Sequence, residues 1–180
     1  MHTLRSAIGI AWIAFWIYWL VSATSANASR PGRRWTPIGG LSAVAVILIL
    51  RVLRFPSLAV HSPVLGAVGA VVFASGLLLA IWARVHLGRN WGMPMTQRLE
   101  PELVTSGPYR YIRHPIYTGL LLGIVGTALA DNLSGLVLAA GLTVVFYYAG
   151  RVEERNMTAA FPTTYPAYRA STKMLIPFVL

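Results

Sequence analysis

The sequence predicts an all-α integral membrane fold of about five transmembrane helices, and three observations carry that expectation. Of 180 residues, 56% are hydrophobic and only 11% charged, where soluble domains carry roughly 25% charged residues. Mean hydropathy is +0.63. The apolar residues are gathered into five runs, and the formal net charge of +10 sits mostly in the connections between them, a pattern that reports topology and not nucleic-acid binding. The absence of cysteine excludes disulfides, thiolate metal sites and a cysteine nucleophile.

The runs extend over about Leu4 to Ala23, Ile38 to Leu53, Pro63 to Val85, Ile116 to Ala130 and Leu133 to Ala149. At 1.5 Å per residue each approaches the roughly 30 Å of a hydrocarbon core, the fourth being the shortest. Ala26-Asn27-Ala28 after the first run resembles a signal-peptidase site, but Arg30, Arg33 and Arg34 closely follow it and the run is long, so a retained helix is expected. Asp131-Asn132 is the polar break between the last two runs, which predicts a tight antiparallel hairpin. Gly119, Gly123, Gly126 and Ala130 recur at intervals of three or four and permit close contact within that hairpin. Residues 1–85 then hold three amino-terminal spans, and residues 86–180 a loop, the hairpin and a tail, all in one structural unit.

Counting lysine and arginine in the connections sets the orientation. With the amino terminus outside, twelve of the 15 basic side chains fall on the cytoplasmic side, leaving only Arg5, Arg51 and Arg54 outside. The long third connection and the carboxyl-terminal tail are therefore expected at the cytoplasmic face of a bacterial-type inner membrane or its equivalent. A connection of about thirty residues is longer than most and is usually functional or disordered.

The densest polar cluster is Gly107-Pro108-Tyr109-Arg110-Tyr111-Ile112-Arg113-His114-Pro115-Ile116-Tyr117-Thr118-Gly119, just ahead of the fourth run. Pro115 suits a first helical turn, and free backbone donors with the helix dipole favour an anion there. The same residues by themselves suit an interfacial belt of tyrosine and snorkelling arginine.

Read with Leu103-Val104-Thr105-Ser106 upstream and Arg151-Val152-Glu153-Glu154 downstream, the cluster resembles the isoprenylcysteine carboxyl methyltransferase family and its phospholipid methyltransferase relatives. The likeness runs from about His86 to Phe178 and includes Phe161, Tyr165, Tyr168 and Ile176-Pro177 near the end. Phe161-Pro162 stands where that family usually has Phe-Gly. The resemblance implies a membrane-embedded methyltransferase using S-adenosylmethionine in a pocket made by the cytoplasmic loop and tail. It places cofactor contacts on Glu102, Leu103, Val104, Tyr109, Arg113, His114, Pro115 and Glu153, and a substrate-side arginine at Arg151.

S-adenosylmethionine carries a sulfonium, a carboxylate, an ammonium and an adenine, so its site needs an anion cradle, an acidic partner and aromatic walls. Arg113 with the helix terminus answers the first and Glu153 the second, while Tyr109 or Trp91 answers the third. Trp91 is also a candidate for the substrate side. A carboxylate acceptor needs only an arginine to hold it, Arg151 or Arg155. An amine acceptor needs a general base, for which Glu154 is the candidate. The acceptor is expected to be lipophilic and to arrive from the membrane lipid, a prenylcysteine-like compound being one class and a phospholipid or other lipid amine another.

No metal is expected, since none of His2, His61, His86 and His114 lies three or four residues from another. The aromatic run Trp12, Phe15, Trp16, Tyr18 and Trp19 suits lipid contact or packing better than a ligand tunnel. A small transporter lacks the mid-span charges a pathway needs, and a non-enzymatic membrane subunit leaves the polar cluster without a purpose.

Overall fold

The computed structural model describes residues 2–23, 55–91 and 102–176. Among them are α1 (His2–Ala23), α2 (Pro63–Leu87), α3 (Pro115–Ala130), α4 (Gly135–Ala160) and the short α5 (Thr164–Ser171), with single 3₁₀ turns at Pro56–Leu58, Gly88–Asn90 and Gly107–Arg110. Helices α1, α2 and α4 are long and apolar enough to cross a membrane, and α3 is a shorter apolar helix. The expected span from Ile38 to Leu53 lies outside the described residues.

Local sequence explains the helix limits. Ser62 caps α2 by accepting from the Leu65 amide at 3.3 Å, and Pro63 occupies the first turn, where a missing N–H is harmless. Gly88 ends the helix at φ 52°, with its amide bonded to the Arg84 carbonyl. The long α4 continues from its apolar half straight into Arg151-Val152-Glu153-Glu154, and stops at Phe161-Pro162 as the sequence suggested.

Helices α2 and α3 pack backbone to backbone. A Cβ built on Gly126 would lie 2.2 Å from the Phe73 nitrogen, and one on Gly76 would lie 2.5 Å from the Gly123 nitrogen, so only glycine allows this approach. The small-residue face of α3 thus meets the preceding helix, correcting the expectation that it would serve the hairpin with α4. Gly69 and Gly76, seven residues apart on α2, supply the matching face. Helix α1 closes this pair with Ile8 and Phe15, buried against Phe73, Leu77, Ala80 and Ala130, while the Trp12 indole donates to the Thr127 hydroxyl at 3.0 Å. Trp16 is about half exposed, as a lipid-facing ring would be.

Opposite ends of the bundle carry different polar chemistry. At one end, the hairpin turn is fixed by Asn132, whose amide donates to the Phe55 carbonyl and whose oxygen accepts from Ser134. Arg5 ties α1 to the same turn through Asp131 at 2.9 Å and the Val60 carbonyl at 3.0 Å. At the other end lie the carboxyl termini of α1 and α2, the amino terminus of α3 and the polar half of α4. There the buried Arg84 donates to the Ser22 and Gly88 carbonyls and lies 4.9 Å from the Trp91 ring centroid.

Candidate functional site

The site end is organised by the motif preceding α3. Gly107 sits at φ 58°, and a Cβ there would fall 2.3 Å from the His86 ring, so the residue is required both for its backbone conformation and for close passage of the α2 terminus. The following turn buries Pro108 and Tyr109. His114 is the N-cap position of α3 and Pro115 its first residue, as the sequence indicated.

The tail folds back over this turn. Ile112 and Lys173 form a parallel bridge, and the Arg113 and His114 amides donate to the Lys173 and Met174 carbonyls at 2.8 and 3.1 Å. Met174 and Leu175 are buried with Tyr117 and Ala149. Two backbone donors near the start of α3 are therefore taken by the protein's own carbonyls. Tyr168 donates to the Tyr109 carbonyl at 2.6 Å, and burial raises its phenol to about 12, which keeps it a donor.

Arg113 is the centre of the closure. Its Nε donates to Glu154 at 2.6 Å, and its Nη1 donates to the carbonyls of Arg169 and Thr172. Both members are buried, the Glu154 side chain being only 3% exposed. The other Glu154 oxygen lies 3.4 Å from Arg169 Nε. The guanidinium expected to meet a ligand carboxylate thus meets an internal one, and the carboxylate considered as a base has both oxygens facing arginines.

Glu153 faces a different group. Tyr117 donates to its Oε1 at 2.5 Å, and His114 Nδ1 stands 3.4 Å from its Oε2. His114, Tyr117 and Phe146 stack in parallel, with centroids 5.4 and 4.6 Å apart. Burial opposes a charge on His114, but the nearby Glu153 and Glu154 carboxylates outweigh it and raise the imidazole above the ordinary histidine value. Its Nε2 is buried without a hydrogen-bond partner among the described residues, since 3.6 Å to Glu154 is too long for one.

A raised folded-state value fixes the sign of a pH effect. The stabilisation from charged His114 is complete below the unfolded value of about 6.5 and is lost as pH climbs through the higher folded value. Thermal unfolding between pH 6 and 9 should therefore show stability falling with pH, and His114→Gln should flatten that slope. An identical slope in the variant would remove His114 as its source.

The remaining candidates form a second group. Glu102, Leu103 and Val104 line a polar cavity of about 480 Å³ with His86, Leu87, Gly88, Asn90, Thr105 and Ser106. Asn90 donates to Glu102 across it. Trp91 stands edge-on to Trp19 at 5.9 Å, with Arg84 over its face. Arg151 borders a separate cleft beside Glu154. Tyr117, Arg169 and Thr172 were not singled out from sequence. Tyr117 lay in plain view three residues after His114 in the motif, whereas nothing local to Arg169 or Thr172 announces that their carbonyls meet Arg113.

A family model described as phospholipid methyltransferase matches residues 64–164. Protein-S-isoprenylcysteine O-methyltransferase A of Arabidopsis thaliana is 31% identical over 148 residues, covering 76% of this chain and 74% of the relative. The cobalt-zinc-cadmium resistance protein CzcN of Cupriavidus metallidurans is 36% identical over 94 residues, 51% of this chain and 43% of its own. Among solved structures, a eukaryotic intramembrane Ras methyltransferase, isoprenylcysteine carboxyl methyltransferase, superposes with a TM-score of 0.62 at 26% identity. That match covers 82% of this chain and 55% of the other, so the chain spans about half the length of this structure and of CzcN.

Proposed function

The chain belongs to the phospholipid methyltransferase family, and from that premise we propose that it is a membrane-embedded methyltransferase that uses S-adenosylmethionine to methylate a lipophilic acceptor. The observation that carries the reading is the meeting of Glu153, Tyr117 and His114 at the same bundle end as the polar cavity bounded by Glu102. We also propose that this end faces the cytoplasm, on the strength of the basic residues concentrated in its connections.

The residues present fit S-adenosylmethionine. A cavity of about 480 Å³ lies within the roughly 300–1,000 Å³ of ordinary ligand sites. Glu102 and Glu153 are carboxylates suited to an ammonium or ribose hydroxyls, and His114 Nε2 is a buried polar atom without a hydrogen bond, 3.6 Å from Glu154. Leu103 and Val104 supply the apolar part of the cavity lining. When bound, the cofactor supplies a methyl group activated by a neighbouring sulfonium.

The chain's own contribution is orientation. Tyr117 fixes the Glu153 carboxylate, the aromatic stack fixes Tyr117, and the tail is bonded over the turn at Arg113. Such positioning accounts for much of the barrier reduction in a displacement between two held groups. Arg151 is assigned to the acceptor, as a guanidinium for a carboxylate. A carboxylate acceptor is favoured over an amine because Glu154 faces Arg113 and Arg169 and an amine needs a free base. This supports a prenylcysteine-like compound over a lipid amine.

Titration calorimetry with S-adenosylhomocysteine tests the site. Binding is expected, and Glu153→Ala should weaken it by about 1.5–3 kcal/mol, the worth of a hydrogen bond to a charged group. No heat of binding in the intact protein would overturn the reading. Radiolabelled cofactor added to membranes should then mark a lipid-soluble, base-labile ester if the acceptor is a carboxylate.

A further inference from the structure

The cleft beside Glu154 is lined by Arg151, Arg155 and Arg169 with Thr158 and Ala159, and holds about 390 Å³. Arg151 and Arg155 are four residues apart on α4 and share a face, while Arg169 reaches in from α5. Neither Arg151 nor Arg155 makes a hydrogen bond or ion pair among the described residues. The one carboxylate in the lining, Glu154, is paired with Arg113 at 2.6 Å and with Arg169 at 3.4 Å, which leaves Arg151 and Arg155 uncompensated. Glu153 next to it is turned to Tyr117. The cleft therefore holds an excess of cation that the protein does not satisfy.

Its chemistry excludes most ligands other than anions. Thr158 already donates to the Glu154 carbonyl at 2.7 Å, so the donors on offer are guanidinium N–H groups. The end of α4 carries a partial negative charge, which the arginines must outweigh before an anion can settle. A single carboxylate occupies one guanidinium fork, whereas a phosphate monoester carries about 1.5 to 2 negative charges and three terminal oxygens. Arg151 and Arg155, with Arg169 beside them on Glu154, match the latter.

Depth gives the source. Arg151 and Arg155 lie 16 and 20 residues beyond Gly135, or about 24 and 30 Å along a helix, which is the thickness of a hydrocarbon core. We propose that this cleft binds the phosphate of an anionic lipid headgroup, docking the lipid beside the site. The same chemistry would take a soluble phosphate. Docking shares Arg151 with the acceptor assignment but does not require methyl transfer.

The test is retention of lipid by the purified full-length chain in native mass spectrometry, with phosphatidic acid compared against net-neutral phosphatidylcholine of the same acyl chains. At least tenfold preference for phosphatidic acid is expected. Arg155→Gln and Arg169→Gln should each cut that preference several-fold, and Arg155→Lys should keep most of it, which separates charge from folding. Displacement by millimolar inorganic phosphate identifies a soluble source, and resistance to it identifies the headgroup. Equal retention of both lipids by the unaltered protein, or full preference in both glutamine variants, overturns the proposal. S-adenosylhomocysteine binding read on the same samples separates this outcome from failure of the methyltransferase reading.

Discussion

Replacing Arg113 by alanine is expected to destabilise the protein by about 3–5 kcal/mol, the usual cost of removing one partner from a buried ion pair. The substitution leaves Glu154 buried without its shortest contact and strips donors from the Arg169 and Thr172 carbonyls. Arg169 at 3.4 Å and with a side chain nearly half exposed is a weak replacement. Because the lost charge is structural, a double variant, Arg113→Met with Glu154→Leu, should recover part of the deficit. Reversible unfolding in detergent measures both. A double variant no better than Arg113→Ala would mean that the tail hydrogen bonds, not the charge pair, dominate.

Gly126→Ala is expected to cost about 3 kcal/mol, the upper part of the range for overpacking. The added methyl meets backbone atoms of Phe73 and Gly69 at 2.2 to 2.6 Å, and backbone cannot rotate aside as a side chain can. The relief available is separation of α2 from α3, which forfeits the contact that holds them in lipid. Gly141→Ala is the control. Nothing lies within 4 Å of its added carbon, and replacing a mid-helix glycine gains up to about 1 kcal/mol in propensity. Equal effects at the two positions would refute close packing as the reason for glycine at 126.

The contrast between these glycines marks what could be read from the chain alone. Apolar runs announced the helices because hydropathy is a local property: α1, α2 and α3 match the expected runs within a few residues, while α4 begins near its run and continues past Ala149 to Ala160. The turn at Gly107 and the start of α3 at Pro115 were legible for the same reason, since φ restriction and capping act within a few bonds. Which face of α3 meets which helix was not legible, because a row of small residues says that something approaches closely and not what. Residues 102–104 and 113–115 are close in sequence, yet the first set borders one cavity and the second meets the tail. Glu153 and Glu154 are neighbours that serve different groups, one facing Tyr117 and the other Arg113. On a helix successive residues point about 100° apart, so an acidic pair is two tasks and not one.

The parallel pairing of Ile112 with Lys173 joins residues about sixty positions apart. Synthesis runs from the amino terminus, so α4, which ends at Ala160, is made before Thr172 exists to receive Arg113. Until the tail is in place, the Arg113 guanidinium lacks two of its carbonyl acceptors. A variant truncated after Ser171 would keep α1 to α4 yet leave the Arg113 and His114 amides, and the Arg113 guanidinium, without the tail carbonyls that receive them.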